Sequence, residues 1–169
     1  MQIHFDTVAH ASDFIRLNET WISEHFRIEE SDRELARDPM QLVREGGTLI
    51  TLTEAEVVVG TCALLKESAE RYQLARMTVA EDQRGKGLGH LLMRTALKKA
   101  ADLGAAQVYL LTNTQLESAV RLYRRHGFHV VHEGSHPKYA RCNLIMQINL
   151  AHGERASDGP LSDRLAEGV

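Results

Sequence analysis

The chain has 169 residues, 43% hydrophobic and 25% charged, the make-up of one globular domain with room for a sizeable core. Its 20 basic and 23 acidic residues leave a net charge of −3, so no global positive field exists to recruit nucleic acid. No apolar run approaches the roughly 20 residues that cross a bilayer, and "MQIHFDTVAH" lacks the basic and apolar regions of a secretory signal, so a cytoplasmic protein without membrane attachment is expected.

Residues 12–26 place Phe14, Leu17, Trp21 and Ile22 along one helical face, with Ser12 as the expected N-cap. A second helix follows, with Ser31 and Glu34 in capping-box spacing, and Pro39 breaks or redirects it. "TLITLTEAEVVVGTCALLK" holds two β-branched runs around a short polar turn, an antiparallel hairpin, and "YQLARMTV" is a further strand. The next helix sets Leu88, Leu91, Leu92, Ala96, Ala100 and Leu103 on one face before Gly104. "AQVYLLT" is a strand, Thr114 and Glu117 are the expected cap of the helix after it, and that helix stops at Gly127. "FHVVHEG" and "RCNLIMQINL" are two more strands. The alternation from 72 to 132 predicts an α/β or α+β class with a mixed sheet and helices packed on it. Residues 1–150 are expected to form the domain, and the small, polar stretch 151–169 a flexible tail.

Cys62 and Cys142 lie in apolar, strand-like stretches and read as reduced core thiols. His126, His129, His132 and His136 have poor metal geometry in a helix end and a strand, so they read as surface residues and no metal is expected.

The most informative stretch is "EDQRGKGLGHLL", residues 81–92, with glycines at 85, 87 and 89 between a strand and a helix. Glycine adopts backbone angles that other residues avoid and lets a ligand approach the main chain closely. A helix start offers free N–H groups and the positive end of its dipole. Together they suit a phosphate, and Arg84 and Lys86 add charge. A Walker loop would need Ser or Thr after Lys86, where Gly87 stands, and a dinucleotide fingerprint would place its third glycine one position beyond Gly89.

The pattern Arg84-x-x-Gly87-x-Gly89 after "LARMTV" resembles motif A of the GCN5-related N-acetyltransferases (GNAT), which move acetyl groups from acetyl-CoA to amines. "TNTQLESAVRLYRRHGFHVV" resembles the family's later segment through Asn113, Ala119, Leu122, Tyr123, Gly127 and Phe128. The resemblance covers roughly residues 21–149, and its strands "GTCALLK" and "YARCNLIMQINL" are similar to those of small bacterial members. It implies a mixed, mostly antiparallel central sheet with a splayed parallel pair of strands, flanked by about four helices.

The resemblance also implies roles. The pantetheine arm of acetyl-CoA would lie against Met77, Thr78 and Val79, pairing with the backbone of Met77 and Val79, and a bulge in that strand would free an N–H for the thioester oxygen. Arg84, Gly85, Lys86, Gly87, Leu88 and Gly89 would hold the pyrophosphate, and Asn113 would bond the pantetheine arm or else merely begin its helix. Tyr123 would donate a proton to the departing CoA thiolate, as a phenol with a reference pKa of about 10 can. Many relatives carry a glutamate base where this chain has Gln73, so Glu70, or Glu24, His25 or Glu29, is the candidate base. The acceptor would be a small-molecule or protein amine. Glu24, Glu29 and Glu30 point to a cationic amine, whereas Arg141 points to a carboxylate-bearing one. A homodimer is an expectation from relatives, and an acyl-CoA-binding or sensing module is the alternative to an enzyme.

Overall fold

The computed structural model describes residues 1–151. Seven strands form one sheet in the order β1-β2-β3-β4-β5-β7-β6. They are β1 (Gln2–Phe5), β2 (Thr48–Glu54), β3 (Val57–Lys66), β4 (Arg71–Val79), β5 (Gln107–Thr112), β6 (His129–Glu133) and β7 (Leu144–Asn149). Every neighbouring pair is antiparallel except β4 and β5. Five α-helices complete the fold: α1 (Ala11–His25), α2 (Glu30–Arg37), α3 (Gln41–Arg44), α4 (Leu88–Asp102) and α5 (Glu117–Arg125). The mixed sheet agrees with the reading of the sequence. β1 is an addition to it: Ile3 and Phe5 do alternate with polar residues, but the run is only four residues long and lies on the sheet edge with both apolar side chains exposed.

Neighbouring residues on a strand point to opposite faces, and the two cores divide accordingly. Ile50, Cys62, Leu64, Tyr72 and Leu74 pack with Leu88, Leu92, Met93 and Ala96 of α4, and α5 adds Leu122 and Tyr123 at the edge of this core. Leu49 and Ala63, one residue out of step with Ile50 and Cys62, pack on the other face with Phe14 of α1 and Leu42 of α3. The α4 stripe differs slightly from the expected one. Met93 is fully buried, whereas Leu103, past the last turn of the helix, is 37% exposed. Both cysteines are buried and unpaired, and burial pushes the Cys62 thiol up to about 12, which makes it a poor nucleophile.

Three expected caps are corrected. α1 begins at Ala11 with His10 as N-cap, which puts Ser12 inside the helix. The capping box of α2 is Glu29 and Asp32, two residues earlier than Ser31 and Glu34, because the Asp32 carboxylate is fixed by partners outside the helix. α5 takes Leu116 as N-cap without a side-chain bond, while the Thr114 N–H donates to Asn143 at 2.9 Å instead. Pro39 does separate α2 from α3. The stretch read as a tail lies, beyond Ala151, outside the described residues.

Candidate functional site

β4 and β5 pair in register only at Arg71–Gln107, Tyr72–Val108 and Gln73–Tyr109. β5 continues to pair with β7 as far as Thr112, so the two parallel strands part and leave one edge of β4 from Leu74 onward without a strand partner among the described residues. The gap is a cleft of about 680 Å³ lined from both faces of the sheet.

β4 changes facing inside this cleft. Tyr72 and Leu74 point to the α4 side, and so do Met77 and Val79, which requires an extra residue between them. The pairing with β3 contains it: Ala75 lies opposite Ala63 and Thr78 opposite Thr61, so Arg76 and Met77 form a bulge. Arg76 has φ of 57°, the left-handed region that a side chain occupies only at a cost.

After β4 the chain turns through Arg84–Gly87 into α4. Gly85 and Gly87 have φ of 77° and 79°, and a Cβ added at either would meet nothing within 4 Å. Conformation rather than crowding therefore demands glycine here, and the bare backbone faces the cleft. Gly89 is different: a Cβ there would lie 3.7 Å from Leu122, an ordinary contact. Gly87 is the N-cap of α4 and offers no side chain to the first-turn N–H groups, and Gly87, Leu88 and Gly89 line the cleft. The Arg84 guanidinium donates to the Val79 carbonyl at 3.3 Å and to Glu24 at 3.2 Å. Lys86 is exposed, bonds Gln83 at 2.8 Å and does not line the cleft.

Leu122 and Tyr123 of α5 form the opposite wall on the α4 side. Tyr123 is half-buried, and its ring lies 6.1 Å from Phe128. Removal from water pushes its hydroxyl up to about 12, with Thr112 opposing the shift. Asn113 lies outside the cleft lining. Its Nδ2 donates to the Arg141 carbonyl at 3.1 Å and its Oδ1 accepts the Gln115 N–H at 3.0 Å, so it organises the loop after β5. Glu70 also lies outside the lining. It precedes β4 at the end where β4 and β5 are still paired, and its carbonyl accepts the Ala106 and Gln107 N–H groups. The structure thus brings together Met77, Thr78, Val79, Arg84, Gly85, Gly87, Leu88, Gly89 and Tyr123, and sets Glu70, Lys86 and Asn113 apart.

Two buried polar residues that the sequence reading passed over hold the other side of the cleft. Asn18 donates to the Phe14 carbonyl at 2.8 Å and accepts from the Thr78 hydroxyl at 3.4 Å. Its signal was a polar residue on the apolar stripe of α1, four positions after Phe14. Asp32 receives both terminal nitrogens of Arg141, at 2.7 and 2.6 Å, together with Arg76 and the Glu29 N–H. Burial alone would raise its pKa, but Arg141, the Glu29 N–H and Arg76 together hold it far below the ordinary carboxylate range. Arg141 is therefore committed to Asp32 and does not stand free as an anion receptor.

His126 departs from the surface reading: it is half-buried, and its Nε2 lies 2.9 Å from His90 Nδ1. Burial, then His90 and Arg94, lower its pKa. Among the described residues no group of three or more His, Cys, Asp or Glu is placed to hold a metal ion, and no helix is long and apolar enough to cross a membrane.

A splayed parallel pair, a bulged strand and a glycine turn opening a helix coincide with a match of residues 14–128 to the model of the acetyltransferase (GNAT) family. The chain belongs to the GNAT family. Among curated proteins it is similar to a mycothiol acetyltransferase of Corynebacterium efficiens, 34% identical over 90 residues that make up 50% of this chain and 30% of that protein. The chain thus spans less than a third of the length of this relative. Among solved structures, the GNAT-family acetyltransferase of Staphylococcus aureus Mu50 superposes with a TM-score of 0.77 at 19% identity, covering 89% of this chain and all of that one. A putative acetyltransferase from Salmonella typhimurium, solved with acetyl-CoA, superposes with a TM-score of 0.69 at 20% identity over 94% of this chain and 98% of that one. At these identities the superpositions carry the fold.

Proposed function

We propose that this GNAT protein moves the acetyl group of acetyl-CoA to a primary amine, both substrates meeting in the cleft between β4 and β5. The observation that carries the reading is the free edge of β4, which runs from its bulge to the glycine turn. The residues present fit the co-substrate. An extended amide-bearing arm can pair with Met77 and Val79, and the open backbone of Gly85 and Gly87 at the start of α4 suits a diphosphate.

Acetyl-CoA supplies an acyl carbon attached to a sulfur leaving group. The amine nitrogen forms a bond to that carbon, the carbon–sulfur bond breaks, and its electron pair goes to sulfur. The amine gives up a proton to water, and sulfur receives one from the Tyr123 hydroxyl, which is replenished from solvent. A backbone N–H freed from strand pairing at the Arg76–Met77 bulge would be the donor to the carbonyl oxygen as it gains charge. The cleft position of Tyr123 favours an enzyme over a binding module, because binding alone has no use for a proton donor there.

Calorimetric titration with acetyl-CoA, NADH and ATP tests the reading. Selective binding of acetyl-CoA, followed by release of CoA thiol with an amine, is the expected result. Equal affinity for all three would reduce the glycine turn to a generic anion site. Selective binding without release with any amine would favour the sensing module. Gly87→Ala is expected to cost about 1 kcal/mol of stability from the left-handed backbone angle, measurable by denaturant unfolding, and to weaken acetyl-CoA binding in the same titration. Unchanged affinity would remove the turn from the diphosphate site.

A further inference from the structure

The α1 side of the cleft differs in chemistry from the α4 side. Trp21, Ile22, Phe26, Leu65 and Tyr139 line it, so its walls are largely apolar and aromatic. Among the described residues that line the cleft there is no aspartate or glutamate. The acids of the first two helices, which in the sequence pointed to a cationic acceptor, are already engaged. Glu24 pairs with Arg84, Glu29 and Asp32 with Arg141, and Glu30 with Arg33 and Arg37. The charged groups that do line this side are the guanidiniums of Arg76 and Arg141. An ammonium entering here would lose water and find no carboxylate on the wall to replace it.

Nor does this side hold a carboxylate that could take the proton away. Gln73 accepts the Tyr109 hydroxyl at 3.4 Å, and burial and Glu67 raise the Tyr109 pKa, so that phenol remains a donor. The Cys142 thiol donates to the Leu144 carbonyl at 3.7 Å and is pushed up by burial. His90 lines the cleft at the glycine turn, on the α4 side, and is bonded to His126. The amine must therefore arrive with its nitrogen lone pair already free. At pH 7.5 roughly a third of an α-amine is neutral, against about one in a thousand of a lysine ε-amine.

We infer that the acceptor is an α-amine next to an apolar or aromatic side chain, and not a lysine side chain or a polyamine. The inference rests on the acetyl-transfer reading above. The neutral nitrogen attacks the acetyl carbon, sulfur leaves with the bonding pair, and the amine proton passes to water. The apolar substituent occupies the wall formed by Trp21, Phe26 and Leu65, and the two guanidiniums, themselves paired with Asp32, give an alkylammonium ion nothing to replace its water.

The test compares four amines with saturating acetyl-CoA, following CoA thiol release at pH 7.5: phenylalaninamide, a tripeptide amide beginning with phenylalanine, glycinamide and Nα-acetyl-lysinamide. The expected result is a kcat/KM for phenylalaninamide or the tripeptide at least about tenfold above that of glycinamide, as burial of a phenyl ring implies, and further still above Nα-acetyl-lysinamide. The ratio of the first two tells whether the amine comes free or at the end of a chain. Trp21→Ala should bring phenylalaninamide down toward glycinamide, with the acetyl-CoA Kd and the melting temperature unchanged. Equal or faster use of Nα-acetyl-lysinamide overturns the inference, as does equal use of glycinamide and phenylalaninamide. It is also overturned if acetyl-CoA binds but none of the four is acetylated. Failure to bind acetyl-CoA at all would instead bring down the acetyl-transfer reading from which the inference starts.

Discussion

Tyr123→Phe is expected to lower kcat by about a hundredfold, at the lower end of what a positioned proton donor contributes, and to leave the Kd for acetyl-CoA within about twofold. That loss corresponds to about 2.7 kcal/mol of transition-state stabilisation. The substitution keeps the ring that packs near Phe128 and removes only the oxygen, so the wall of the cleft stays in place. Burial raises the hydroxyl to about 12, so the phenol holds its proton across the neutral range and well into the alkaline one. A donor that raised is lost only as the pH climbs through its own value, so the wild-type kcat should show no fall assignable to Tyr123 up to about pH 10. Steady-state kinetics at saturating amine, set beside calorimetry, separate the possibilities. A parallel loss of kcat and affinity would make Tyr123 a packing residue. An unchanged kcat would mean that the thiolate leaves unassisted.

What the sequence disclosed about this site was whatever could be carried by neighbouring residues. The glycines at 85 and 87 announce a turn into a helix because their backbone angles are local properties, and the structure gives both positive φ. The hairpin of β2 and β3 and the strand β4 were legible from their β-branched runs. The position of the bulge was not, because it depends on counting β4 against β3, and nothing in "LARMTV" alone shows that Arg76 is the surplus residue. Asp32 was missed for a related reason. Glu29–Asp32 and Ser31–Glu34 are equally good caps by spacing, and the choice between them is made by Arg76 and Arg141, 44 and 109 positions away. Asn113 shows how a motif position and a local structural role can coincide on one residue. The resemblance gave it a ligand contact or else the start of its helix; its Nδ2 holds the β5 loop to the Arg141 carbonyl and its Oδ1 takes the Gln115 N–H within the loop.

The Asp32 cluster carries the largest expected effect on stability. The side chain is 2% exposed, and two guanidiniums that are each 19% exposed converge on it. Asp32→Ala removes their common counter-charge and leaves them facing one another, which should cost about 3 to 5 kcal/mol, the usual penalty for breaking a buried pair from one side. For a domain of this size that is a fall in melting temperature on the order of 10 °C. Asp32→Asn keeps the shape and one acceptor oxygen, so its loss should be smaller. The pH dependence has a definite sign. The Asp32 pKa is lowered on folding, so its contribution is complete above the ordinary carboxylate range and is lost as the pH falls below roughly 4. The Asn variant should lack that part of the acid slope, and thermal melts between pH 3 and 7 read it directly. The same cluster bears on turnover, because Asp32 pairs with Arg76, the residue whose backbone is left-handed at the bulge. If the bulge relaxes when the carboxylate is removed, kcat falls in the folded Asn variant while the Kd for acetyl-CoA is retained. If the Asn variant keeps both kcat and the wild-type acid slope, the network neither stabilises the fold nor sets the bulge, and the strain at Arg76 must be held by the strand pairing alone.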